Sequence, residues 1–590
     1  MYFSLGIYSQ LPAGTSNLVL ERLLDETLTP LLQSLYRNPD EKIVFCLSGF
    51  EMEWIESNHP EINVLINSLS RRGQIDFLST SFNGVCLELL PPNERASEIE
   101  RTSTFIRRRY SKRPSGFWAF QQMWNSGYIT TIDLCSLRYA AISVTPNGAP
   151  LSRQKKNPFI MSQFGKSSLI FPTNDEVSKL IQDLYLNKKS TEDALTDISR
   201  LRIDRNCIMD YVMINMDQLI YDGINGFQVI SAILDRYHQK NFDSRLPDSK
   251  YLISNEVIDN GYLPSGIYGY DLRTACNSPN ELILSNNSYR GYYQLLDKIR
   301  NLVKVSLSER TVKKEINNVL TRCLSAFPFV FDCDGCTSRY TVEKGFFEAV
   351  NIMKAKGVAF PLEIDIDDDT YDELIFHEED ILVIFDSKGG SISTLMSQKC
   401  LPNFKRYSSI PIFSDSLNTL TSKEFRLDGK RYSMESQDKV NSIVRFRLER
   451  FCKEGIDISL TKEFRIRKNS FSISINIHNN SDSPSSFRYS LHFPCLAECE
   501  LNSEKTSQVC FNVKGNVSDY LVTCNASGFP FLVDGTKIEG IIRTPIADEQ
   551  KYLYTDYRYH WDLQMKPDSD FVTVLDFTMR KIGVSHDFTE

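Results

Sequence analysis

The chain has 590 residues, 41% of them hydrophobic and 24% charged, and carries a net charge of -8. That length exceeds what one core fills and implies two to four domains of ordinary globular composition. An acidic balance without a long basic run argues against a nucleic-acid partner. No apolar run reaches the roughly 18 to 20 residues that span a bilayer, so no membrane association is expected.

The first residues, "MYFSLGIYSQLPAG", have no basic lead and no small-residue cleavage pattern, and read as a strand and not as a secretion signal. Fourteen cysteines lie scattered without a framework, which fits reduced thiols and a cytoplasmic location. Cys333 and Cys336 form one close CxxC, but neither a second pair nor a matching histidine pair completes a zinc site. No metal and no cofactor is expected.

Short apolar strands then alternate with amphipathic helices. "YFSLGIY", "KIVFCLSG" and "QIDFLSTS" read as strands, separated by the helical "LVLERLLDETLTPLLQSLYR" and "EINVLINSLSRRG". The helix "NERASEIERTSTFIRRRYSK" follows, and "SGFWAF", "YAAISV", "SSLIFPT" and "DYVMINMD" read as further strands. This alternation predicts a parallel sheet or barrel over residues 1–285, with function at the carboxyl ends of its strands. Residues 286–358 are helical in period. Residues 359–590 alternate at period two between turn signals, predicting a large antiparallel β-sandwich. The acidic run "EIDIDDDTYDEL" lacks the central Gly and terminal Glu of an EF-hand and reads as a solvated turn.

The segment "RPSGFWAFQQMWNSGYITTIDL" is unusual. Trp118 and Trp124 bracket the adjacent amides Gln121 and Gln122, and no Asp or Glu occurs from Arg101 through Ile132. Trp54 lies on an amphipathic helix and reads as a packing residue. Trp118 and Trp124, at a predicted strand end and the next loop, are candidates to stack on a sugar ring. A metal-dependent deacetylase on a similar barrel is disfavoured, because neither His59 nor His238 falls at a strand end.

The stretch "LSGFEMEWIESNHPEINVLINSLSRRGQIDFLSTSFNGVCLELLPPNERASEI" resembles glycoside hydrolase family 57, in its 4-α-glucanotransferase and α-amylase branch. Ser48, Gly49, Glu53, Trp54, His59, Pro60, Glu61, Arg72, Gly73 and Gln74 match the family pattern in order. The resemblance implies an incomplete seven-stranded (β/α) barrel, a helical bundle and a β-sandwich. It also implies a retaining mechanism, which needs two carboxyl groups about 5 Å apart across the scissile bond.

The resemblance places Gln121 where the family carries its nucleophilic Glu, and Gln122 where it carries an Arg. A carboxamide is a poor nucleophile, although it can hydrogen-bond a hydroxyl in both senses. Asp217, in "DYVMINMDQLIYDG", takes the acid/base position, with Asp222 as competitor and Leu219 in place of the following Glu. "YSQLP" keeps Gln10 but puts Ser9 where the family has a His. Gly84 stands at a lost Glu, and the Trp-His-Gly motif has no counterpart in "RCLSAFPFVFDCDGC".

The leading expectation is therefore a catalytically inactive or impaired relative that binds an α-glucan or oligosaccharide weakly, or has a structural role. Gln10, Trp118, Gln122 and Trp124 would then contact ligand. The alternatives are a divergent enzyme using Asp217 with an unrecognised partner, and a protein-interaction scaffold. A protein partner or homo-oligomer stays open. An inactive site should hold no second carboxyl within about 6 to 10 Å of Asp217.

Overall fold

The computed structural model describes residues 2–11, 15, 17–146, 157–203, 207, 209–247, 259–270, 276–284, 287–324, 337–378, 381–397, 411–419, 423–438, 442–467, 470–495, 497–499, 504–513, 518–543 and 548–584. The CxxC cysteines lie outside them. The chain packs as two compact units, one of residues 1–290, 321–342 and 543–548, the other of 291–320, 343–542 and 549–590. The helices of the 286–358 segment are thus divided between the two.

In the first unit β1 (Tyr2–Ser9), α1 (Asn17–Leu23) and α2 (Thr29–Arg37) come first, with a π-helical turn at Leu24–Leu28 joining the helices. Next come β2 (Ile43–Leu47), α3 (Gly49–Asn58), α4 (Pro60–Arg71), β3 (Ile75–Ser79), α5 (Pro92–Tyr110) and β4 (Gly116–Trp118). β5 (Met123–Trp124), α6 (Tyr128–Leu134), β6 (Tyr139–Ile142), β7 (Phe159–Gln163), β8 (Lys166–Pro172), α7 (Asp175–Leu186), α8 (Thr191–Ser199), β9 (Met209–Asn215) and α9 (Gly226–Gln239) follow, and then the short strands β10 (Asp243–Ser244) and β11 (Gly266–Ile267).

Among the described residues, eight parallel strands share one sheet: β9 and β10 each pair with β1, and β2, β3, β4, β6 and β8 follow from β1 in that order. β7 adds an antiparallel edge that the sequence pattern did not announce. Between β8 and β9 the described pairing is a single bridge, Thr173 to Tyr211. The expected β/α sheet is present, and its closure rests on that one contact.

Burial on both faces of the sheet explains why these strands are apolar throughout. Phe3, Leu5 and Ile7 of β1 pack with Leu31 and Leu35 of α2 and with Ile230 and Ile233 of α9. Tyr8, Val44, Cys46, Trp118, Tyr139 and Tyr211 form a separate cluster. This second cluster sets the floor beneath the strand ends.

The second unit carries antiparallel sheets of four, five and eight strands. Its core joins residues such as Phe413, Phe446, Leu460, Phe493, Tyr559 and Phe577. One core position breaks the pattern. Lys462 is fully buried and donates to the Gly389 and Phe413 carbonyls, with Asp415 at 2.7 Å. The Tyr432 and Tyr489 hydroxyls each donate to Asp415 at 2.6 Å, so the pair is fully hydrogen-bonded. The acidic run is less solvated than expected: Glu373 is buried and accepts from the Ile366 amide at 2.5 Å, and burial pushes it up to about 8. Its carboxylate gathers with those of Asp365 and Asp367, in a turn tied by amides of Asp369 and Thr370.

Candidate functional site

Parallel barrels present polar groups at the carboxyl ends of their strands, and four such ends meet here. β1 ends at Ser9 and runs into Gln10, β2 leads into α3 through Ser48, β4 leads to Gln121, and β9 leads to Asp217. The joints are specific. Gly49 donates to the Phe82 carbonyl at 2.8 Å, and a Cβ there would stand 2.4 Å from the Phe82 ring. Only glycine fits.

Ser48 caps α3 reciprocally with Glu51. The Glu51 amide donates to Ser48 Oγ at 3.3 Å, while Glu51 Oε2 accepts from the Ser48 amide at 2.8 Å and its hydroxyl at 2.7 Å. The box turns the Glu51 carboxyl back toward the strand ends, where Oε1 meets Ser9 Oγ.

Asp217 does not itself cap a helix. Its amide donates to Asn215 Oδ1 at 3.0 Å, and its carboxyl turns toward β1. The Gln10 amide donates to Asp217 Oδ2 at 2.9 Å, and Ser9 Oγ lies 2.5 Å from Oδ1. Asp222, the competing residue, is 99% exposed and paired with Arg22 at 2.7 Å. The strand-end carboxyl is Asp217.

The expectation of no second carboxyl near Asp217 fails. Glu51 and Asp217 touch the same hydroxyl oxygen, which sets their nearest oxygens within about 5 Å of each other. Sequence reasoning passed over Glu51 because the family pattern singles out Glu53. The available signal was the Ser48-x-x-Glu51 spacing of a capping box directly after a strand.

Gln121 and Gln122 both have left-handed backbones, at φ 48° and 56°, a conformation that costs roughly 1 to 3 kcal/mol for a non-glycine residue. Each is anchored. The Gln121 amide donates to Gln10 Oε1 at 2.9 Å, and Gln122 Oε1 accepts from the Ser143 amide at 2.8 Å. Gln10 therefore joins Gln121 to Asp217. Gln122 instead ties its loop to the residue that follows β6 and, through its carbonyl, to the Tyr268 amide at 3.1 Å. Gln121 is 8% exposed, yet its Oε1 has no hydrogen-bond partner among the described residues, and neither has Gln10 Nε2.

The tryptophans are placed differently from the expected stacking platforms. Trp118 is 1% exposed and packs its ring at 4.6 Å from that of Tyr8 within the inner cluster. Trp124 is fully buried, donates to the Leu263 carbonyl at 3.2 Å and meets Tyr128 edge-on. A ring enclosed by core neighbours offers no face to a sugar. Trp54 packs against the outer helical core and donates to Asn17 Oδ1, as expected of a packing residue.

The electrostatics follow from burial. Burial first, then the neighbouring Asp217 charge, pushes Glu51 up to about 8 against the hydrogen bonds of Ser9 and Ser48. Burial also lifts Asp217 to about 6, opposed by Ser9 and the Gln10 amide. The Cys46 thiol, buried beside Glu51, is raised too.

Together these features define a protein with a parallel β/α sheet and a carboxyl-and-amide cluster at its strand ends. Residues 8–192 match the profile of glycosyl hydrolase family 57. It is similar to Alpha-amylase 1 of Dictyoglomus thermophilum, at 27% identity over 203 residues, which are 33% of this chain and 29% of that protein. It is similar also to the 4-alpha-glucanotransferase of Thermococcus litoralis, at 25% identity over 30% of this chain and 27% of that one. The chain thus aligns with less than a third of the length of either relative. The crystal structure of 4-alpha-glucanotransferase from Thermococcus litoralis shares the fold, with a TM-score of 0.72 at 13% identity over 98% of this chain and 99% of that chain.

Proposed function

We propose that the barrel mouth binds an α-glucan or related oligosaccharide weakly, without forming a covalent glycosyl intermediate. Gln121, whose Oε1 has no hydrogen-bond partner among the described residues and which stands where the family resemblance has its nucleophile, in a left-handed turn anchored on Gln10, carries this reading. A neutral amide there recognises a hydroxyl and cannot attack an anomeric carbon. Glu51 does not replace the missing nucleophile. It is 2% exposed, lies behind Ser9, and has both oxygens engaged. The α-glucan class follows from the α-amylase and 4-α-glucanotransferase relatives. The scattered free thiols suit a cytoplasmic protein.

Titration with maltotriose followed by amide NMR should give an affinity of roughly 0.1 to 10 mM, with shifts centred on Gln10 and Gln121. A second reading is favoured by the proximity of Glu51 to Asp217: a divergent enzyme using that pair. Disproportionation of maltotriose that is lost in both Asp217→Asn and Glu51→Gln would establish it in place of the first.

A further inference from the structure

The contact of two carboxyls with one serine hydroxyl has a chemical consequence. A hydroxyl carries a single proton, so Ser9 can donate to only one of Glu51 and Asp217. If both carboxyls were ionised, the other contact would set an anionic oxygen against a lone pair in a buried site. The arrangement holds together when one carboxyl is itself protonated and donates to Ser9.

The remaining contacts decide which. Glu51 Oε2 is committed as an acceptor from the Ser48 amide and hydroxyl, leaving Oε1, on the Ser9 side, to carry a proton. Asp217 accepts from the Gln10 amide and is half-buried, whereas Glu51 is enclosed. The more enclosed carboxyl is the costlier to ionise.

We propose that Glu51 is a neutral acid that donates to Ser9, and that Ser9 donates to an ionised Asp217, forming a proton relay that ends at the barrel mouth. A concerted shift moves the Glu51 proton to Ser9 Oγ and the Ser9 proton to Asp217 Oδ1. No proton is gained or lost. Asp217 becomes the neutral acid and Glu51 the carboxylate. The amino terminus of α3 and the Ser48 cap are placed to stabilise that displaced charge. Glu51 is thus a positioning residue acting through Ser9, at a place where the family resemblance has a histidine.

The groups facing the pair are Ser9 and Gln10 from β1, Cys46 and Ser48 from β2 and its end, and Asn215 from β9. No Lys, Arg or His pairs with either carboxyl among the described residues. The shared proton is therefore what relieves their repulsion, in keeping with the upward shifts of both groups. That Asp217 faces a ligand rests on the proposed sugar-binding function. The relay itself does not.

Carboxyl-carbon NMR on the ligand-free full chain tests the relay. In the wild type the pair should titrate in two separated steps, with Glu51 last. In Asp217→Asn the Glu51 midpoint should fall by about one pH unit or more, the threshold for strong coupling. In Glu51→Gln the higher step should vanish, while Ser9→Ala should alter both midpoints. Unchanged Glu51 titration in Asp217→Asn overturns the relay, and so does a wild type in which both groups ionise below pH 5. Should one variant not fold, the wild-type titration still tests the proposal: two separated steps with Glu51 last support it, and ionisation of both groups below pH 5 overturns it. Failure to bind maltotriose would leave the relay standing and remove only the ligand assignment.

Discussion

Replacing Glu51 by Gln should change how the stability of the barrel depends on pH. In the unfolded chain Glu51 ionises near its ordinary 4.5, whereas burial and Asp217 hold it to about 8 in the fold. A carboxyl whose folded value is raised contributes stability that is full below the unfolded value and is lost as pH rises through the folded one. The window is therefore about pH 4.5 to 8. At about 1.4 kcal/mol per pH unit, the Glu51 contribution falls by up to roughly 5 kcal/mol across it. The substituted carboxamide keeps an oxygen for the Ser48 cap and gains an amide donor toward Ser9, with nothing to ionise. Urea unfolding of both proteins at several pH values between 5 and 9 is readable by fluorescence, because Trp54, Trp118 and Trp124 all lie in the barrel unit. The gap between variant and wild type should swing by a few kcal/mol in favour of the variant as pH rises. Parallel profiles would falsify the claim that Glu51 is neutral when buried.

Other substitutions follow from the same geometry. Asp415→Asn should destabilise the sandwich by about 3 to 5 kcal/mol in calorimetry, because it strands the buried Lys462 ammonium; a Lys462→Met, Asp415→Leu double variant should lose less. Gly49→Ala should cost about 1 to 3 kcal/mol by forcing the Phe82 ring aside, read as a lower urea midpoint. Gln121→Glu should keep the fold at a cost of up to about 1 to 3 kcal/mol, since it places an uncompensated charge in a largely buried site. Product analysis should then detect no robust turnover of maltotriose, because the Glu replaced by Leu219 and the His replaced by Ser9 are not restored.

The frame was more legible than the site. Short continuous apolar runs between helical patterns carry the β/α alternation, because each strand is covered on both faces, as β1, β2 and β3 are. The matched motif residues mostly proved to be fastenings. Gln74 donates to the carbonyls of Leu35, Asn38 and Glu41, and Gly49 marks a close approach to Phe82. Asp217 and Gln121 could be placed at strand ends, and Gln10 joins them. What could not be read was direction. Nothing in a one-dimensional pattern shows Trp118 turning into a buried cluster while Gln121 keeps an unpartnered Oε1. Glu51 was hidden for a related reason. A capping box is a local signature, but its carboxyl reaches Ser9, 42 residues earlier, only once β1 and β2 pair in register.

The central claim is recognition without covalent chemistry, and one experiment addresses both halves. Maltotriose incubated with the full chain in an NMR tube reports binding through saturation transfer and turnover through its anomeric signals. The account predicts saturation transfer that saturates at roughly 0.1 to 10 mM, weakens in Gln10→Ala and Gln121→Ala, and leaves the anomeric signals unchanged over days. New anomeric signals that disappear in Asp217→Asn would contradict it, as would no transfer at tens of millimolar.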